Sequence, residues 1–523
     1  MKRVLRGPDG LFIAVLAAAA ITLIAAAVIG GRHARAPVFA AAAGDGSTRL
    51  EGVAVAEGKP ASSGGQPTTR TTEPSRRRAA APASTVRSLP RRSTAGATRI
   101  GVFSDHFRIG IHAPLTFDGA PLNLAEDPVT GVKGYITYVN RHGGINGLKI
   151  KLYPEDDRYT TAGARQAADH LVREVKPFLI EGALGIDQIH KVALAAKGAG
   201  IPYVAGGGPE PEFRRITDMY QNVSSYDQYL SMVADFICKF GAAYVGGKSA
   251  SDVRLGTTTL NSEFILPVER RFVAEVSRRR CVRTPVESRA RGRIAKPTEQ
   301  TSYSAQMIDL RTAYGNQGAN LIVPLQDPVS TSRQVLEWTK SGYRPKWTIA
   351  NFAHDSDTAL TLFQGEWTGM RVMSGACYYH PSGGGRPYDP SRCAAMGEAH
   401  RQWVGLGHVD YDANAGGSVG GKSSYDYDED SWTTDGGGGA AGYQLVYFWH
   451  GAMKAIGTDP TREKFVAALN AYDNYSNIVT GPITFAGSPN RMAGATKFAL
   501  LEGQRNLKYR HVTEITPGLA DHF

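Results

Sequence analysis

The chain has 523 residues, and its 59 Lys and Arg against 48 Asp and Glu give a formal net charge of +11. This length is too great for one core of ordinary size, and 42% hydrophobic with 20% charged residues exclude a fibrous or wholly disordered chain. Residues 1–99 hold 15 of the basic and 5 of the acidic residues, so the tail carries +10 and the remainder only +1. A nucleic-acid-binding protein presents a basic face on its folded part, so no nucleic-acid partner is predicted.

The first 43 residues contain an export segment. Lys2, Arg3 and Arg6 precede an apolar run over residues 11–29. Nineteen residues span about 28 Å as a helix, close to the hydrocarbon core of a bilayer, and the preceding charges place everything after the run outside the cytoplasm. The length favours an uncleaved signal anchor, and a cleaved signal peptide is the alternative. We therefore expect an extracytoplasmic protein, cell-surface or secreted, held to the membrane by this helix.

Residues 44–98 are rich in Gly, Ser, Thr, Pro, Ala and Arg and show no hydrophobic period, which predicts a disordered linker. The arginine run 76–78 is interpreted as a solvated part of that linker, with adhesion to anionic lipid or wall polymer as the alternative.

Four cysteines, Cys238, Cys281, Cys377 and Cys393, follow in the body of the chain. An even number in an exported protein permits two disulfides, with three possible pairings, or four buried thiols. Pairing of sequence neighbours, Cys238 with Cys281 and Cys377 with Cys393, is the simplest. Their spacing does not indicate a metal site.

From residue 99 onward, short β-prone stretches alternate with segments of helical periodicity. The predicted strands are 100–102, 108–112, 148–153, 178–181, 202–205, 254–260, 320–324 and 347–350. The predicted helices are 131–140, 162–174, 188–198, 229–240, 266–279, 307–314, 332–341, one from about 443 to 454, and 461–471. This alternation favours parallel sheets covered on both faces by helices, in two domains. Ligands of such sheets bind outside the carboxyl ends of the strands.

An ordered set of motifs carries a resemblance to a known family. The most specific is Tyr138-Val-Asn-Arg-His-Gly-Gly-Ile-Asn-Gly-Leu-Lys-Ile150. The others are Ile109-Gly-Ile-His-Ala-Pro-Leu-Thr116, Tyr153-Pro-Glu-Asp-Asp157, Gly198-Ala-Gly-Ile-Pro202 and Thr480-Gly-Pro-Ile-Thr-Phe485. Together they resemble the type I periplasmic binding proteins, in the branched-chain amino acid receptor branch of ABC transporter substrate-binding proteins.

The resemblance implies an α/β fold of two Rossmann-like lobes joined by a three-strand hinge, preceded by the transmembrane segment and the disordered linker. The implied divisions are 99–222 for the first part of lobe 1, 223–352 for lobe 2, 353–475 for the second part of lobe 1 with an insertion at 381–440, and 476–523 for the hinge return and the C-terminal part of lobe 2. The insertion is interpreted as a partner-binding element or a long flexible loop.

The resemblance also implies the function. The protein would capture a small-molecule solute between its lobes, by hinge closure, and deliver it to the permease of an ABC-type importer. The alternative is a ligand sensor of the same fold that signals to a membrane partner. No placed triad, metal cluster or paired acid in the sequence supports an enzyme, and no cofactor is expected.

In the family, ligand groups come from loops after several strands. Carried over to this sequence, the candidate ligand-binding residues are Leu115, Thr116, Phe117, Ala183, Leu184, Gly185, Gly207, Gly208, Pro209, Asn261, Phe264, Gln326, Asn351 and Phe352.

The sequence departs from the family pattern in three of these loops. The loop 182–186 has no Ser or Thr, and 205–209 offers three glycines, whose N–H groups suit an anion. Phe352 stands where an acid would pair with an α-ammonium, and Glu210 or Asp327 would have to supply that charge from another direction. An ammonium buried without a carboxylate is costly, so a standard amino acid ligand is disfavoured. The hypothesis is a solute with an aromatic or apolar part, contacted by phenylalanines 117, 264 and 352, which otherwise belong to the core.

Two motifs in the insertion imitate catalytic sequences. Residues 416–423 fit the phosphate-loop pattern, but an acidic stretch, Tyr425-Asp-Tyr-Asp-Glu-Asp430, follows where a helix is needed. Ser418 sits in a Gly-x-Ser-x-Gly pattern without the strand-to-helix turn of a hydrolase. The acidic stretch lacks the spacing of a calcium-binding loop, so it is interpreted as a solvated loop.

Overall fold

The computed structural model describes residues 99–117, 120–121, 123–207, 218–283, 285–296, 299–349, 362–374, 395–411, 422–428, 432, 438–473, 475–478, 483–486, 498–504 and 509–515. The export segment and linker lie outside these residues, as do Gly208, Pro209, Asn351, Phe352, Cys377 and Cys393. In the part of the chain that is described, no helix is both long enough and apolar enough to cross a membrane.

Strands and helices alternate through most of the described chain. The strands are β1 His106–Ala113, β2 Thr116–Phe117, β3 Ala120–Pro121, β4 Lys149–Asp156, β5 Leu179–Gly182, β6 Tyr203–Ala205, β7 Met219–Gln221, β8 Leu255–Leu260, β9 Arg291–Ile294, β10 Leu321–Leu325, β11 Lys346–Ile349, β12 Arg371–Ser374, β13 Gly407–Asp410, β14 Ser424–Tyr427, β15 Phe498–Gly503 and β16 Tyr509–Ile515. The α-helices are α1 Asn123–Arg141, α2 Thr161–His170, α3 Asp187–Gly198, α4 Tyr226–Tyr244, α5 Ile265–Arg278, α6 Ser304–Asn316, α7 Pro328–Lys340, α8 Met396–Val404, α9 Gly438–Ala455 and α10 Arg462–Asn470.

The first sheet is parallel throughout and has the strand order β4-β1-β5-β6-β7. Helices α1, α8, α9 and α10 pack with it into one core, and α2 and α3 form a second core on its other side. We call this sheet with its helices lobe 1. Its central strands β1, β5 and β6 are buried on both faces, whereas the edge strand β4 alternates between buried and more exposed residues in its first half.

The second sheet has the order β16-β15-β12-β11-β10-β8-β9. Strands β8 to β12 are parallel, and β15 and β16 add antiparallel at one side. Helices α4 and α5 share one core with this sheet, and α6 and α7 share another. We call this sheet with its helices lobe 2. Both lobes lie within one compact unit, Ala80–Phe523.

The predicted strand at 100–102 is wrong. Gly101 has a positive φ of 83°, and Val102 forms only an isolated bridge with Phe107. The chain turns tightly there, since the Phe103 N–H donates to the His106 carbonyl at 2.8 Å. The first strand therefore begins at His106, after the turn.

The described part of the 381–440 insertion is folded, so the interpretation as a long flexible loop is wrong for these residues. It consists of α8 and the β13–β14 hairpin, whose strands pair from Gly407 with Tyr427 to Asp410 with Ser424. Three of its aromatic side chains, Trp403, Tyr427 and Trp432, are at most 1% exposed and belong to the lobe 1 core. The insertion thus contributes side chains to the hydrophobic core of lobe 1.

The phosphate-loop resemblance also ends in this hairpin. The Lys422 Nζ lies 3.4 Å from the Glu126 carboxylate on α1, and strand β14 follows where a phosphate loop requires a helix. Lys422 therefore serves an ion pair in the lobe 1 surface.

Cys238 on α4 and Cys281, just after α5, form a disulfide that joins the two helices of one lobe 2 core. This is the sequence-neighbour pairing. The second pair lies outside the described residues.

Candidate functional site

Two helices begin where strands of opposite lobes end, and their first turns meet. Helix α3 follows β5 of lobe 1, and α5 follows β8 of lobe 2. The Ser262 hydroxyl donates to Asp187 Oδ1 at 2.7 Å, and Lys296 Nζ lies 3.2 Å from Asp187 Oδ2. Asp187 opens α3, whereas Ser262 and Lys296 belong to lobe 2. One lobe 1 carboxylate therefore contacts two lobe 2 side chains.

A ring contact and a second ion pair lie next to this carboxylate. The rings of His190 and Phe264 stack with centroids 3.8 Å apart and planes 27° from parallel. Lys191 Nζ lies 3.9 Å from the Glu263 carboxylate, and Ile186 packs into a lobe 2 core. The exposed pair contributes little energy. The stacking and the apolar contact give the interface a hydrophobic part beside its charged part.

Lys296 reaches across from the loop after β9. Its ammonium donates to Thr161 Oγ1 at 3.3 Å, besides its ion pair with Asp187. Only 14% of its side chain is exposed, so its charge is held mostly within the interface. Thr161 and Asp187 open α2 and α3, so one lobe 2 cation touches the first turns of two lobe 1 helices.

Tyr159 is the lobe 1 aromatic residue at the same interface. It has a left-handed φ of 54° and is 8% exposed, with its ring 6.4 Å from that of Phe117. Burial raises the pKa of its hydroxyl well above the ordinary value, and the carboxylates of Asp327 and Asp187 raise it further. Tyr159 is therefore neutral and close to acids from both lobes.

A buried hydrogen-bond chain holds the segment that carries Tyr159. His112 Nδ1 bonds Asp157 Oδ2 at 2.8 Å, and His112 Nε2 bonds the Tyr203 hydroxyl at 2.7 Å. Asp157 Oδ1 accepts the N–H of Tyr159 at 3.0 Å. A Cβ at Gly182 would collide with the Tyr203 hydroxyl, so this position requires glycine. These hydrogen bonds link the carboxyl ends of β1 and β4 to the first residue of β6.

Of the described lobe 1 residues that were predicted to bind ligand, one lies at the interface and the others make contacts within lobe 1. Phe117 lies beside Tyr159 at the interface. Thr116 is engaged within lobe 1, since its N–H and hydroxyl donate to the Asp156 carboxylate at 3.1 and 2.5 Å. The remaining described members lie in the loops and core of lobe 1: Leu115, Ala183, Leu184, Gly185 and Gly207.

The predicted lobe 2 residues divide in the same way. Phe264 contacts lobe 1, whereas the Asn261 N–H donates to the Ile294 carbonyl at 2.7 Å. Gln326 is fully buried, and its carboxamide donates to Gln334 at 2.9 Å. Asp327 caps α7 by accepting the N–H and hydroxyl of Ser330. The structure thus brings Phe117 and Phe264 to the interface, and the other predicted residues that it describes make contacts within their own lobe.

Sequence reasoning missed five interface residues. They are Tyr159, Asp187, His190, Ser262 and Lys296. Asp187 directly follows the predicted loop 182–186, and Ser262 lies between the predicted residues Asn261 and Phe264, so considering every side chain of these loops and of the next helical turn would have found both. Lys296 follows β9, a strand that the sequence pattern did not reveal.

The described residues hold no group of three or more His, Cys, Asp or Glu side chains placed to bind a metal ion.

Residues 106–257 match the model of a family described as periplasmic binding proteins. No curated protein matches the chain at a significant level.

Solved structures resemble the chain over most of its length. The leucine binding protein LivK from Thermotoga maritima is 14% identical, with a TM-score of 0.58, over 78% of this chain and 99% of that one. A fatty acid ABC transporter substrate-binding protein from Thermomonospora curvata is 12% identical, with a TM-score of 0.59, over 82% and 97%. An ABC transporter solute binding protein from R. palustris, in complex with 4-hydroxybenzoate, is 13% identical, with a TM-score of 0.58, over 80% and 100%. The resemblance stated from the sequence motifs is confirmed at the level of fold.

Proposed function

From the type I periplasmic binding fold that the chain shares with these proteins, we propose that it is an extracytoplasmic solute-binding protein. It captures a small organic solute between its two lobes and delivers it to an ABC-type importer, without chemical conversion. The observation that carries the proposal is the meeting of α3 and α5 at Asp187 and Ser262, because it brings the carboxyl ends of strands from both sheets to one interface. Closure of two lobes around a ligand is the conformational change that such an interface supports.

The proposed solute has an aromatic or apolar part. Phe264 stacks on His190 across the interface, and Phe117 lies beside Tyr159 in the lobe 1 wall. Hydrophobic and aromatic side chains form most of the lining of small-molecule sites. A phenyl ring or short alkyl chain between these two groups would find apolar contact from both lobes.

A standard amino acid remains a disfavoured ligand, but the reason is not that the interface lacks an acid, as the loop sequence suggested. An acid is present at the interface, since Asp187 comes from lobe 1. Its carboxylate already accepts from Ser262 and pairs with Lys296. An α-ammonium placed against Asp187 would lie beside the Lys296 ammonium, and the repulsion between the two cations would offset the benefit of the new contact.

Binding would be measured by calorimetry on the full chain with leucine, valine, benzoate, 4-hydroxybenzoate, benzamide and a dipeptide. Solutes with a ring should bind, and Phe264→Ala should weaken them about tenfold through lost apolar and stacking contact. Phe240→Ala, which removes a partly exposed ring on α4, is the matched control and should change nothing. Micromolar binding of leucine or valine, with none of the aromatic solutes, would contradict this solute class.

We further propose that the N-terminal segment holds the protein outside the cytoplasm at the membrane surface. Protease added to intact cells should degrade the body, and the protein should sediment with membranes. Deleting residues 11–29 should abolish export. Recovery of the full-length protein in the culture medium would contradict membrane anchoring.

A further inference from the structure

We infer that the solute carries an anionic group of carboxylate type and that Lys296 is the residue that selects it, with Asp187 and Thr161 positioning its ammonium. The inference rests on the proposed function and narrows its ligand class. It depends on which hydrogen-bond donors and acceptors at the interface already have partners within the protein.

The carboxylates at the interface are engaged as acceptors. Asp187 receives Ser262 and Lys296, and Asp327 receives the N–H and hydroxyl of Ser330. Asp156 in the neighbouring loop receives the N–H and hydroxyl of Thr116. Each of these three carboxylates therefore already has a protein donor on both of its oxygens.

A buried side-chain donor remains open next to Asp187 in the chain. Gln188 in the first turn of α3 is 1% exposed, and its Nε2 has no hydrogen-bond partner in the described structure. Its Oε1 accepts the Ile186 N–H at 3.3 Å, which fixes the carboxamide against the loop before the helix. A buried amide donor without an acceptor is costly, so an acceptor from a ligand would be stabilising there.

The helix itself adds to this set of donors. Ile186, at the N-cap of α3, makes no side-chain capping hydrogen bond, and the helix is 12 residues long. The first N–H groups of a helix lack intrahelical partners, and its N-terminus carries partial positive charge. Together with the Gln188 amide, these groups favour an anion.

Lys296 supplies the full charge. An ammonium has three N–H donors, and Thr161 and Asp187 account for two of them. The third donor can serve a ligand carboxylate while the ion pair with Asp187 persists. A cationic ligand that shared the Asp187 carboxylate would lie close to the mostly buried Lys296 ammonium, and the two like charges would repel each other.

The test uses ligands matched in shape and different in charge. Benzoate, benzamide and benzylamine share a phenyl ring, and so do phenylacetate and its amide. Calorimetry on the full chain should show benzoate or phenylacetate binding about 10- to 100-fold tighter than its amide, as expected for a charge-assisted hydrogen bond. Benzylamine should bind most weakly.

Two substitutions of Lys296 separate recognition from packing. In Lys296→Met the ratio of carboxylate to amide affinity should fall to about one, while the amide affinity stays within a few fold. In Lys296→Arg a preference for the carboxylate should persist. Lys340→Met, at the far end of α7, is the control and should keep the full ratio.

The possible results are distinct. Loss of affinity for acid and amide alike in Lys296→Met would mean that Lys296 only supports the interface, and it would overturn the inference. Equal binding of acids and amides by the unmodified protein, or a preference for benzylamine that Asp187→Asn abolishes, would also overturn it and leave the proposed function standing. Binding of no organic solute from either panel would overturn the proposed function and the inference with it.

Discussion

Glu181 should make the stability of lobe 1 fall as the pH rises. It lies on β5, wholly buried, and accepts a hydrogen bond from the indole N–H of Trp449 on α9. Burial raises the pKa of this carboxyl from about 4.5 to about 8, against the smaller lowering effect of the indole. At neutral pH the folded protein therefore keeps this group protonated, whereas the unfolded chain ionises it.

The sign and size of the effect follow from this difference. Below pH 4.5 both states hold the proton and the group has no pH-dependent effect. Between pH 4.5 and 8 the folded state binds more protons than the unfolded state, so the free energy of unfolding decreases by up to about 1.4 kcal/mol per pH unit. The limiting loss above pH 8 is about 5 kcal/mol. Glu181→Gln cannot ionise and keeps an oxygen for the indole, so it should escape this loss.

Urea unfolding of the full chain at pH 5, 6.5 and 8, followed by tryptophan fluorescence, measures the effect. Glu181→Gln should exceed the unmodified protein in unfolding free energy by little at pH 5 and by about 2 to 5 kcal/mol at pH 8. Glu299→Gln changes an exposed carboxyl and should give no such trend. A stability difference that stays constant across the three pH values would refute the reasoning, because it would mean that Glu181 has the same pKa folded and unfolded.

Three further substitutions test separate parts of the structure. Trp403→Ala should lower the free energy of unfolding by about 3 to 5 kcal/mol, because it empties a buried site between the insertion and lobe 1. The control Val404→Ala changes a side chain that is 38% exposed and should cost under about 0.5 kcal/mol. Equal effects of the two substitutions in urea unfolding would contradict a packed insertion. Replacing Cys238 and Cys281 by Ser should lower stability by about 4 kcal/mol through the 43-residue separation that the disulfide closes, and an unchanged melting temperature would contradict this. Gly182→Ala should push apart His112 and Tyr203, which lowers the free energy of unfolding by about 1 to 3 kcal/mol and with it the melting temperature. Calorimetry should also show weaker solute binding, and unchanged values of both quantities would contradict a role of this hydrogen-bonded group in holding the interface segment.

The parallel sheets were predictable because their strands carry a strong local signal. The run Leu321–Leu325 is short and apolar, and it is followed by a helix with a clear start, since Asp327 is the N-cap and Pro328 the first helical residue. Burial on both faces is what produces such runs, so the alternation of strands and helices could be read directly. The predicted α/β fold depended on this signal, whereas the family resemblance depended on the ordered motifs.

The missed strands lack that signal. Strand β9, Arg291–Ile294, has polar residues because it is the edge of its sheet, and its pairing with β8 is what makes it a strand. Strand β15 pairs with β12, whose residues are up to 131 positions away in the chain. Such pairing is decided by tertiary contact and leaves no local periodicity.

The site was only partly predictable for a related reason. Loops after strands can be located from the pattern, and Phe117 and Phe264 were found in this way. Whether a polar side chain in a loop faces the other lobe depends on its competing partners. Thr116 is satisfied by Asp156 nearby, while Asp187 finds its partners only across the interface. Which partner a side chain finds therefore depends on distances in the folded structure, and these cannot be inferred from the residue types alone.

The late position of β15 and β16 in the chain has a consequence for the order of folding. Lobe 2 contributes its first strand at Leu255, but β12 has no neighbour on its outer side until Phe498–Gly503 pairs with it. During synthesis, an unpaired strand edge therefore persists while more than a hundred further residues emerge. Closing so long a loop is entropically unfavourable and slow, and an open edge invites pairing with another chain. A chaperone, or rapid completion of lobe 1 from the residues between, would protect the protein through this interval.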